Sequence, residues 1–344
     1  MLFTPLKTPL WLIKLLNFEY WTWWVFYLPI IPYGLFQALR SRSLTFFTAA
    51  DPCIEMGGFF GESKIDILKQ INSAYLPRTI FIEKNTDLVA ILAKMGAASI
   101  FFPVVCKPNV GERGFQVEKV SDETSLKKYL ELNQTDFIIQ EYVDFPIELG
   151  VLYYRMPNEA TGQVTSITLK KFLSVTGDGK SSIKELMEQS TRARFQIETM
   201  EEKLGKDINE ILPEGKEKLL EPIGNHCRGT MFLDNNFLIN KQLDKIFDVI
   251  ALPIEGFHYG RFDMRVSNIE DLYAGKNIRI MELNGVSSEP GHIYDPKNTL
   301  WNAYKDLAYH WKIVADICIQ QRKKGIYPVP AREIWKVTYQ HFFS

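Results

Sequence analysis

Short strand-like runs and amphipathic helices follow one another irregularly along this chain, and this order limits the folds that it can adopt. A short apolar run predicts a strand over residues 79–82, and further strands are predicted over 260–266 and 278–283. Helical spacing of apolar residues predicts helices over 64–74 and 298–323. The regular strand–helix–strand order of a doubly wound sheet is missing, and so is the GxGxxG fingerprint. The sequence therefore predicts a mixed α and β body that is not a dinucleotide-binding fold.

The composition narrows the class of protein further. A chain of 344 residues is long enough for about two domains, and 46% apolar residues suffice for a buried core. Lys and Arg number 40 against 41 Asp and Glu, so a net charge of −1 argues against non-specific binding of nucleic acid. The four cysteines form no CxxC pair and the histidines no HExxH pattern. We therefore expect no zinc-site pattern, no disulfide framework and a reducing compartment.

Residues 20–39 form an aromatic stretch that is uncharged and about as long as a membrane span. Pro29 and Pro32 interrupt a helix there, and Trp and Tyr favour a membrane interface over the bilayer centre. Arg40 and Arg42 follow directly. Three alternatives stay open: a hairpin that is buried or forms a dimer, attachment at a membrane interface, and a true span. The hairpin is narrowly favoured.

A predicted strand delivers Lys107 into a loop that contains Gly111, Glu112, Arg113 and Gly114. Glycines let backbone N–H groups approach phosphate oxygens, and Lys107 and Arg113 could add charged donors. The loop lacks the GxxxxGK[ST] pattern, so it is not a Walker A loop. The alternative is a β-hairpin turn with solvated charges.

Residues 137–143 predict a second apolar strand, and this strand ends in polar residues. Gln140 and Glu141 could offer side-chain and backbone partners to the edge of an adenine ring. Glu148 follows seven residues after Glu141 and could accept hydrogen bonds from ribose hydroxyls. This pattern is weak when it stands alone.

Two further strands each end in acidic or amide side chains. Arg261, Asp263 and Arg265 alternate and share one face, as do Glu282 and Asn284 on the later strand. If the strands are neighbours, Asp263, Glu282 and Asn284 converge as oxygen ligands for magnesium, with ATP phosphates completing the shell. The alternative is three unrelated surface residues.

These motifs occur in an order that resembles the ATP-grasp superfamily, and within it D-alanine–D-alanine ligase-like carboxylate–amine ligases. The resemblance covers roughly residues 60–295. Residues 175–183 are also similar to a stretch of cyanophycin-synthetase-type members. The resemblance implies an α+β class and an ATP-grasp fold, in which two α+β lobes grip ATP.

The resemblance also implies a division of the chain and a set of site residues. The predicted parts are an aromatic N-terminal segment (1–43), a truncated pre-ATP-grasp region (44–98), a small lobe (99–185), a large lobe with the metal site (186–297), and a C-terminal helix and tail (298–344). The implied nucleotide-binding residues are Lys64, Lys107, Gly111, Glu112, Arg113, Gly114, Gln140, Glu141, Tyr142, Val143, Glu148, Lys170 and Lys171. Strand alternation turns only one of Lys170 and Lys171 toward the site.

By the same resemblance, Asp263, Glu282 and Asn284 are the implied ligands of two Mg²⁺ or Mn²⁺ ions, and Arg261, Lys107 and Arg113 the catalytic residues. The implied reaction joins a carboxylate to an amine through an acyl-phosphate, at the expense of ATP. The short region before Lys64 and the loop after Asn284 depart from the family pattern, so the resemblance names neither substrate. Two alternatives are a membrane-attached ATP-binding module with little catalysis and a kinase on the same fold.

The expected partners are a small-molecule or lipid-linked carboxylate and an amine, without nucleic acid. Contact with a membrane through residues 8–42 and a homodimer are further expectations, as is a cytoplasmic location that includes the inner face of the membrane. Charge-rich residues 190–224 predict a solvated helical insertion or lid. His226, Arg228 and Arg265 are candidates for contact with an anionic substrate, with a satisfied loop histidine as the favoured reading of His226.

Overall fold

The computed structural model describes residues 8–59, 61–111 and 114–336. All strand pairs within these residues are antiparallel. They are β1 (Thr79–Ile82), β2 (Val104–Pro108), β3 (Glu118–Val120), β4 (Phe137–Glu141), β5 (Ile147–Tyr154), β6 (Gln163–Lys171), β7 (Ser174–Thr176), β8 (Glu217–Leu219), β9 (Met231–Asp234), β10 (Tyr259–Val266) and β11 (Ile278–Asn284). They form a four-stranded sheet β1-β4-β2-β3, a five-stranded sheet β11-β10-β5-β6-β9 and a ribbon β7-β8.

Helices cover these sheets and form the N-terminal segment. They are α1 (Leu10–Leu16), α2 (Trp23–Tyr27), α3 (Ile31–Ser41), α4 (Lys64–Leu68), α5 (Leu88–Ala97), α6 (Glu123–Leu132), α7 (Ile183–Gln189), α8 (Ile197–Leu204), α9 (Lys241–Ala251), α10 (Ile269–Ala274) and α11 (Leu300–Lys323). The predicted α+β class is confirmed. The five-stranded sheet takes strands from both sides of residue 185, and the predicted division into lobes stays a prediction.

The largest core lies against the five-stranded sheet and fixes its position. Helix α9 starts at Asn240, whose side chain accepts from the backbone N–H groups of Gln242 and Leu243. Its apolar face then buries Leu243 and Phe247 against Phe262 of β10. Strand β10 is thus packed on this face while its other face remains available for polar side chains.

The aromatic N-terminal segment folds as short helices that pack on α11. Pro32 stands in the first turn of α3, where a missing N–H costs nothing. Phe26 stacks with Tyr304, and Tyr27 lies parallel to Trp311 at 6.0 Å between ring centroids. Among the described residues no helix is both long and apolar enough to cross a bilayer.

Residues 190–224 were expected to form a solvated insertion, and the structure differs. The segment shares an apolar core with α7 and β7, in which Met187, Met200, Leu212 and Leu220 are buried. Its apolar positions are spread among many charges, so no periodic pattern marks them in the sequence. The insertion is a small packed unit.

Asp51 connects the N-terminal region to the start of β10. It is fully buried, and its Oδ1 accepts from the backbone N–H groups of His258 at 2.7 Å and Tyr259 at 2.8 Å. Within the described part of the chain its Oδ2 has no hydrogen-bond partner. Burial raises the pKa of Asp51 to about 8 and outweighs the two amides, which lower it. The carboxyl group is therefore largely protonated at neutral pH.

We expect Asp51→Ala to lower the free energy of unfolding by about 2–5 kcal/mol, because two buried N–H groups lose their acceptor. Asp51→Asn keeps an acceptor oxygen and should unfold near the wild-type midpoint at pH 6. Because the folded-state pKa is raised, the stabilising effect of protonation is complete below about pH 4 and is lost as pH rises through about 8. Urea unfolding from pH 5 to 9 should show this decline in the wild type and a weaker one in Asp51→Asn. Equal pH profiles of the wild type and Asp51→Asn would contradict the raised pKa of Asp51.

Candidate functional site

A cavity of about 1480 Å³ lies between the four-stranded and five-stranded sheets. Most predicted site residues line it: Lys64, Lys107, Gly111, Gly114, Gln140, Glu141, Tyr142, Val143, Glu148, Lys170, Arg261, Asp263, Glu282 and Asn284. Glu112 and Arg113 lie outside the described residues, and their roles stay predictions. The cavity is therefore the candidate active site.

Antiparallel pairing of β10 and β11 brings the acidic strand ends together. Asp263 stands opposite Glu282 in the register, and Arg261 stands opposite Asn284. The Arg261 guanidinium donates to both carboxylate oxygens of Asp263, at 2.9 and 3.0 Å. The Asn284 amide donates to Asp263 at 3.2 Å. The two strands are therefore neighbours, and the role of Asp263, Glu282 and Asn284 as metal ligands stays a prediction.

Lys170 links Asp263 to a second buried carboxylate. Its Nζ lies 3.4 Å from Asp263 Oδ1 and 3.3 Å from Glu148 Oε1. Lys171 is exposed on the opposite face of β6. Of the two alternatives, Lys170 is therefore the one that faces the cavity.

Four buried side chains and the half-buried Arg261 form one series of alternating charge, which we call the charged row: Arg261, Asp263, Lys170, Glu148 and Arg265. Gly150 makes room for it, because a Cβ there would lie 3.1 Å from Asp263 Oδ1. Burial alone would raise the pKa of Asp263, but Arg261 and Lys170 outweigh it and hold that pKa below its usual value. The carboxylate is thus ionised although it is buried.

Two further lysines approach the charged row from the other sheet. Lys107 is buried, and its Nζ donates to the Met281 carbonyl at 2.9 Å and to Gln140 at 3.3 Å. Burial lowers the pKa of Lys107, while nearby carboxylates, led by Glu282, oppose this shift. Lys64 donates to the Gly111 carbonyl at 2.5 Å and lies 4.0 Å from Glu282. Positively charged side chains from both sheets therefore line the cavity around Asp263 and Glu282.

The predicted adenine hinge is engaged within the protein. Gln140 donates to Thr79 at 3.1 Å, and the Glu141 carboxylate pairs with Arg78 at 2.6 Å. The Val143 carbonyl accepts from Arg265 at 2.7 Å. The role of these residues in binding adenine stays a prediction.

Two of the candidates for substrate contact have structural partners instead. Arg265 binds Glu148 at 2.8 Å in the buried part of the charged row. Arg228 donates to the backbone carbonyls of Gly114 at 2.8 Å and Val117 at 3.0 Å, so it stabilises the backbone at the end of the glycine-containing loop. His226 lines the cavity and has its Nε2 3.4 Å from Glu19.

Several cavity features were not predicted from the sequence. Glu289 lies in the loop after β11 and accepts from the Tyr294 hydroxyl at 2.6 Å. Burial raises the pKa of Glu289 to about 7, against the lowering effect of that hydrogen bond. The Gly57 carbonyl accepts from the Val286 N–H at 2.9 Å, and a Cβ on Gly285 would lie 2.2 Å from this oxygen. The Gly57–Val286 contact joins distant segments, and Glu289 lies in an irregular loop, so periodic patterns gave no signal for either feature.

The donor set at the strand ends fits a hard cation. Asp263, Glu282 and Asn284 carry carboxylate and amide oxygens, the ligands that Mg²⁺ prefers, and all three line the cavity. Both Asp263 oxygens accept from Arg261 and the Asn284 amide donates to Asp263, so a bound cation would replace contacts that these side chains make within the protein. Within the described ranges no cluster of three or more His, Cys, Asp or Glu side chains is placed to hold a metal. The three side chains therefore suit an ion that keeps waters and takes phosphate oxygens, rather than a cage made by protein alone.

The chain has distant similarity to solved ligases. No protein-family model matches the sequence, and no curated protein matches it. The D-alanine–D-alanine ligase of Bacillus anthracis is 17% identical over 76% of this chain and 67% of its own, with a TM-score of 0.42. The VanG D-Ala:D-Ser ligase of Enterococcus faecalis is 15% identical over 72% and 57%, with a TM-score of 0.38. The bifunctional glutathione synthetase of Pasteurella multocida is 15% identical over 72% and 35%, with a TM-score of 0.36.

These proteins are ligases, the class that the sequence resemblance names. The chain spans between about a third and two thirds of their lengths. Because all three TM-scores lie below 0.5, the functional proposal rests on the residues of this chain.

We expect Lys170→Met to lower the free energy of unfolding by about 3 kcal/mol, because two buried carboxylates lose a shared cation. Lys171→Met, the neighbouring exposed lysine, should change it by no more than about 0.5 kcal/mol. Urea unfolding at neutral pH measures both. Equal effects of the two substitutions would contradict the placement of Lys170 in the charged row.

Proposed function

We propose that the protein is an ATP-dependent ligase of the ATP-grasp type that joins a carboxylate to an amine. The observation that carries this proposal is a shared cavity. Lys64, Lys107 and the charged row line it together with the oxygen-bearing side chains of Glu282 and Asn284. A metal–triphosphate complex needs positively charged side chains beside its phosphates and oxygen ligands for its metal ion.

In this proposal the triphosphate lies between the two sheets. Lys64 and Lys107 contact its phosphates, and the loop at 111–114 closes over them. The adenine ring lies against the edge at 140–143, and Glu148 accepts from the ribose. Asp263, Glu282 and Asn284 would hold Mg²⁺, which would supply neutralisation of the phosphate charge.

The first step activates the acid. A carboxylate oxygen forms a bond to the γ-phosphorus, and the bond from that phosphorus to the β–γ bridging oxygen breaks, which releases ADP. The cations orient the two anions and offset the charge that they share. Closing the cavity keeps water from the acyl-phosphate.

The second step forms the amide. The amine nitrogen bonds to the carbonyl carbon, the carbon–oxygen bond to phosphate breaks, and the nitrogen loses a proton. Arg261 lies at the cavity surface and is suited to stabilise the oxyanion. The Glu289 backbone carbonyl lies 3.4 Å from the Arg261 guanidinium, and the Glu289 carboxyl group is a candidate acceptor for the proton.

We expect the wild type to release ADP from Mg-ATP in the presence of a pool of carboxylic acids, and to form hydroxamates when hydroxylamine replaces the amine. Asp263→Asn and Glu282→Gln should each lower both rates by at least about 100-fold, because they remove charged oxygen donors. Glu131→Gln, an exposed carboxylate on α6, is the matched control and should keep wild-type rates.

The two alternatives give different results in this assay. A kinase releases ADP in the presence of its acceptor but yields no hydroxamate, and an ATP-binding module releases no ADP. Full activity of either Asp263→Asn or Glu282→Gln would refute the assignment of the oxygen donors.

We also propose that the N-terminal segment contacts the cytoplasmic face of a membrane. Its outer surface exposes Trp11, Leu15, Trp24, Leu28 and Leu39, each by more than half of its side-chain area. Trp at a surface of this kind is typical of the interfacial region of a bilayer. A homodimer would cover the same surface and is the competing explanation.

We expect the double substitution Trp24→Glu and Leu28→Glu to abolish co-sedimentation with phosphatidylcholine vesicles that contain phosphatidylglycerol. Neither residue lines the cavity, so ATP turnover should persist. The control is Val89→Glu with Phe237→Glu, two exposed apolar residues elsewhere on the chain. Wild type that stays in the supernatant and sediments as a dimer in ultracentrifugation would overturn the membrane proposal in favour of the dimer.

A further inference from the structure

The cavity continues past the charged row into a second, apolar part. We call this part the apolar chamber and define it by Trp21, Phe26, Ile31, Leu35, Trp311 and Val314. Its walls come from the N-terminal segment and from α11, whereas the nucleotide part is formed by the two sheets. The aromatic segment is thus a wall of the site as well as an outer surface.

From Trp21 onward the N-terminal wall of the apolar chamber carries no charged side chain. Glu19, which precedes this wall and also lines the cavity, is paired with Arg192 and lies 3.4 Å from His226. From Trp21 to Phe47 the described residues that line the cavity include Thr22 and Tyr27 as polar groups and otherwise only apolar ones. On the opposite wall, burial lowers the pKa of His310 to about 3, so this histidine is neutral at physiological pH. A charged group placed in the chamber would lose its hydration without gaining an ionic partner. The chamber therefore selects an apolar group.

The size of the cavity leaves room for such a group beside a nucleotide. Its volume of about 1480 Å³ exceeds the roughly 300–1,000 Å³ that is usual for a site of one drug-sized ligand. Trp23, Leu35 and Leu44 line the cavity and are also exposed, at 63%, 52% and 70%. The chamber consequently opens to the outside through an apolar mouth.

The packing of α3 on α11 builds this wall specifically. Gly34 faces Trp311, and a Cβ at that position would lie 2.7 Å from the indole ring. The missing side chain lets Trp311 lie parallel to Tyr27 along the chamber. At the inner end, the Phe26 ring lies 5.6 Å from the ring of Tyr294, whose hydroxyl donates to Glu289 at 2.6 Å. Arg261 approaches the Glu289 backbone carbonyl at 3.4 Å, so the apolar chamber meets the reacting end of the site there.

We infer that one reactant of this ligase is a single-chain amphiphile, with its apolar chain in the apolar chamber and its carboxylate or amine head group beside Arg261 and Glu289. This inference rests on the proposed function for the identity of the head group. The selection of an apolar chain rests on the chamber alone.

The test separates chain binding from catalysis. A fluorescent dansyl-undecanoic acid is titrated against the full chain without ATP and without vesicles, and is then displaced with decanoate, with decylamine and with acetate. Decanoate and decylamine should both compete through their shared chain, and the tighter competitor of the two assigns the chain to the acid or to the amine; acetate should not compete. Leu35→Asp should weaken probe binding at least about tenfold, because it places a charge on the chamber wall.

Leu39→Asp is the matched control, because Leu39 lies one turn along α3 and is exposed at 79% outside the cavity lining. It should bind the probe as the wild type does. The inference is overturned if the wild type binds no probe saturably, or if both variants lose binding equally.

Hydroxamate formation with the same acids makes the two proposals separately testable. Probe binding that is sensitive to Leu35→Asp, in a protein that forms no hydroxamate with any acid, would refute the ligase and keep the ligand class. Hydroxamate formation that is equally fast with acetate and decanoate would keep the ligase and refute the chain-binding role of the chamber.

Discussion

The alternation of buried charges across β10, β5 and β6 is the constraint on which the rest of the site depends. Asp263 is ionised in the interior because Arg261 and Lys170 lie beside it, and the Glu148 carboxylate pairs with Lys170 and Arg265. A buried series of this kind is costly to assemble, and replacing it with apolar residues would not reduce stability. Its position at a cavity, rather than inside a core, therefore indicates that the charges serve a ligand.

The N-terminal segment has two apolar surfaces, one that lines the cavity and one that faces outward. Its aromatic residues pack on α11 and at the same time close one side of the cavity, so its composition answers two demands at once. The apolar outer surface and the apolar chamber share α2 and α3. A chain-bearing reactant that dissolves in a membrane could reach the chamber through its apolar mouth without crossing water, which links the proposed location to the inferred substrate class.

Local patterns predicted the elements that carry the site, but not the contacts between them. Strand β1 lies where the short apolar run places it, and alternation on β10 and β11 put Asp263 and Glu282 on facing positions. The predicted helix over residues 64–74 ends at Leu68; beyond it the chain forms tighter turns, in which the N–H groups of Gln70 and Ile71 bond to carbonyls three residues earlier. Asp51 owes its position to residues 258 and 259, which lie far away in sequence, and no periodicity records that contact.

Equilibrium binding of Mg-ATP, measured by titration calorimetry, requires neither the acid nor the amine and so reports on the nucleotide site by itself. We expect one saturable site per chain, a loss of affinity of at least about tenfold in Lys107→Met, and no change in Lys171→Met. A wild-type chain without saturable binding would refute the proposed nucleotide site, and so would equal affinities of the wild type and Lys107→Met.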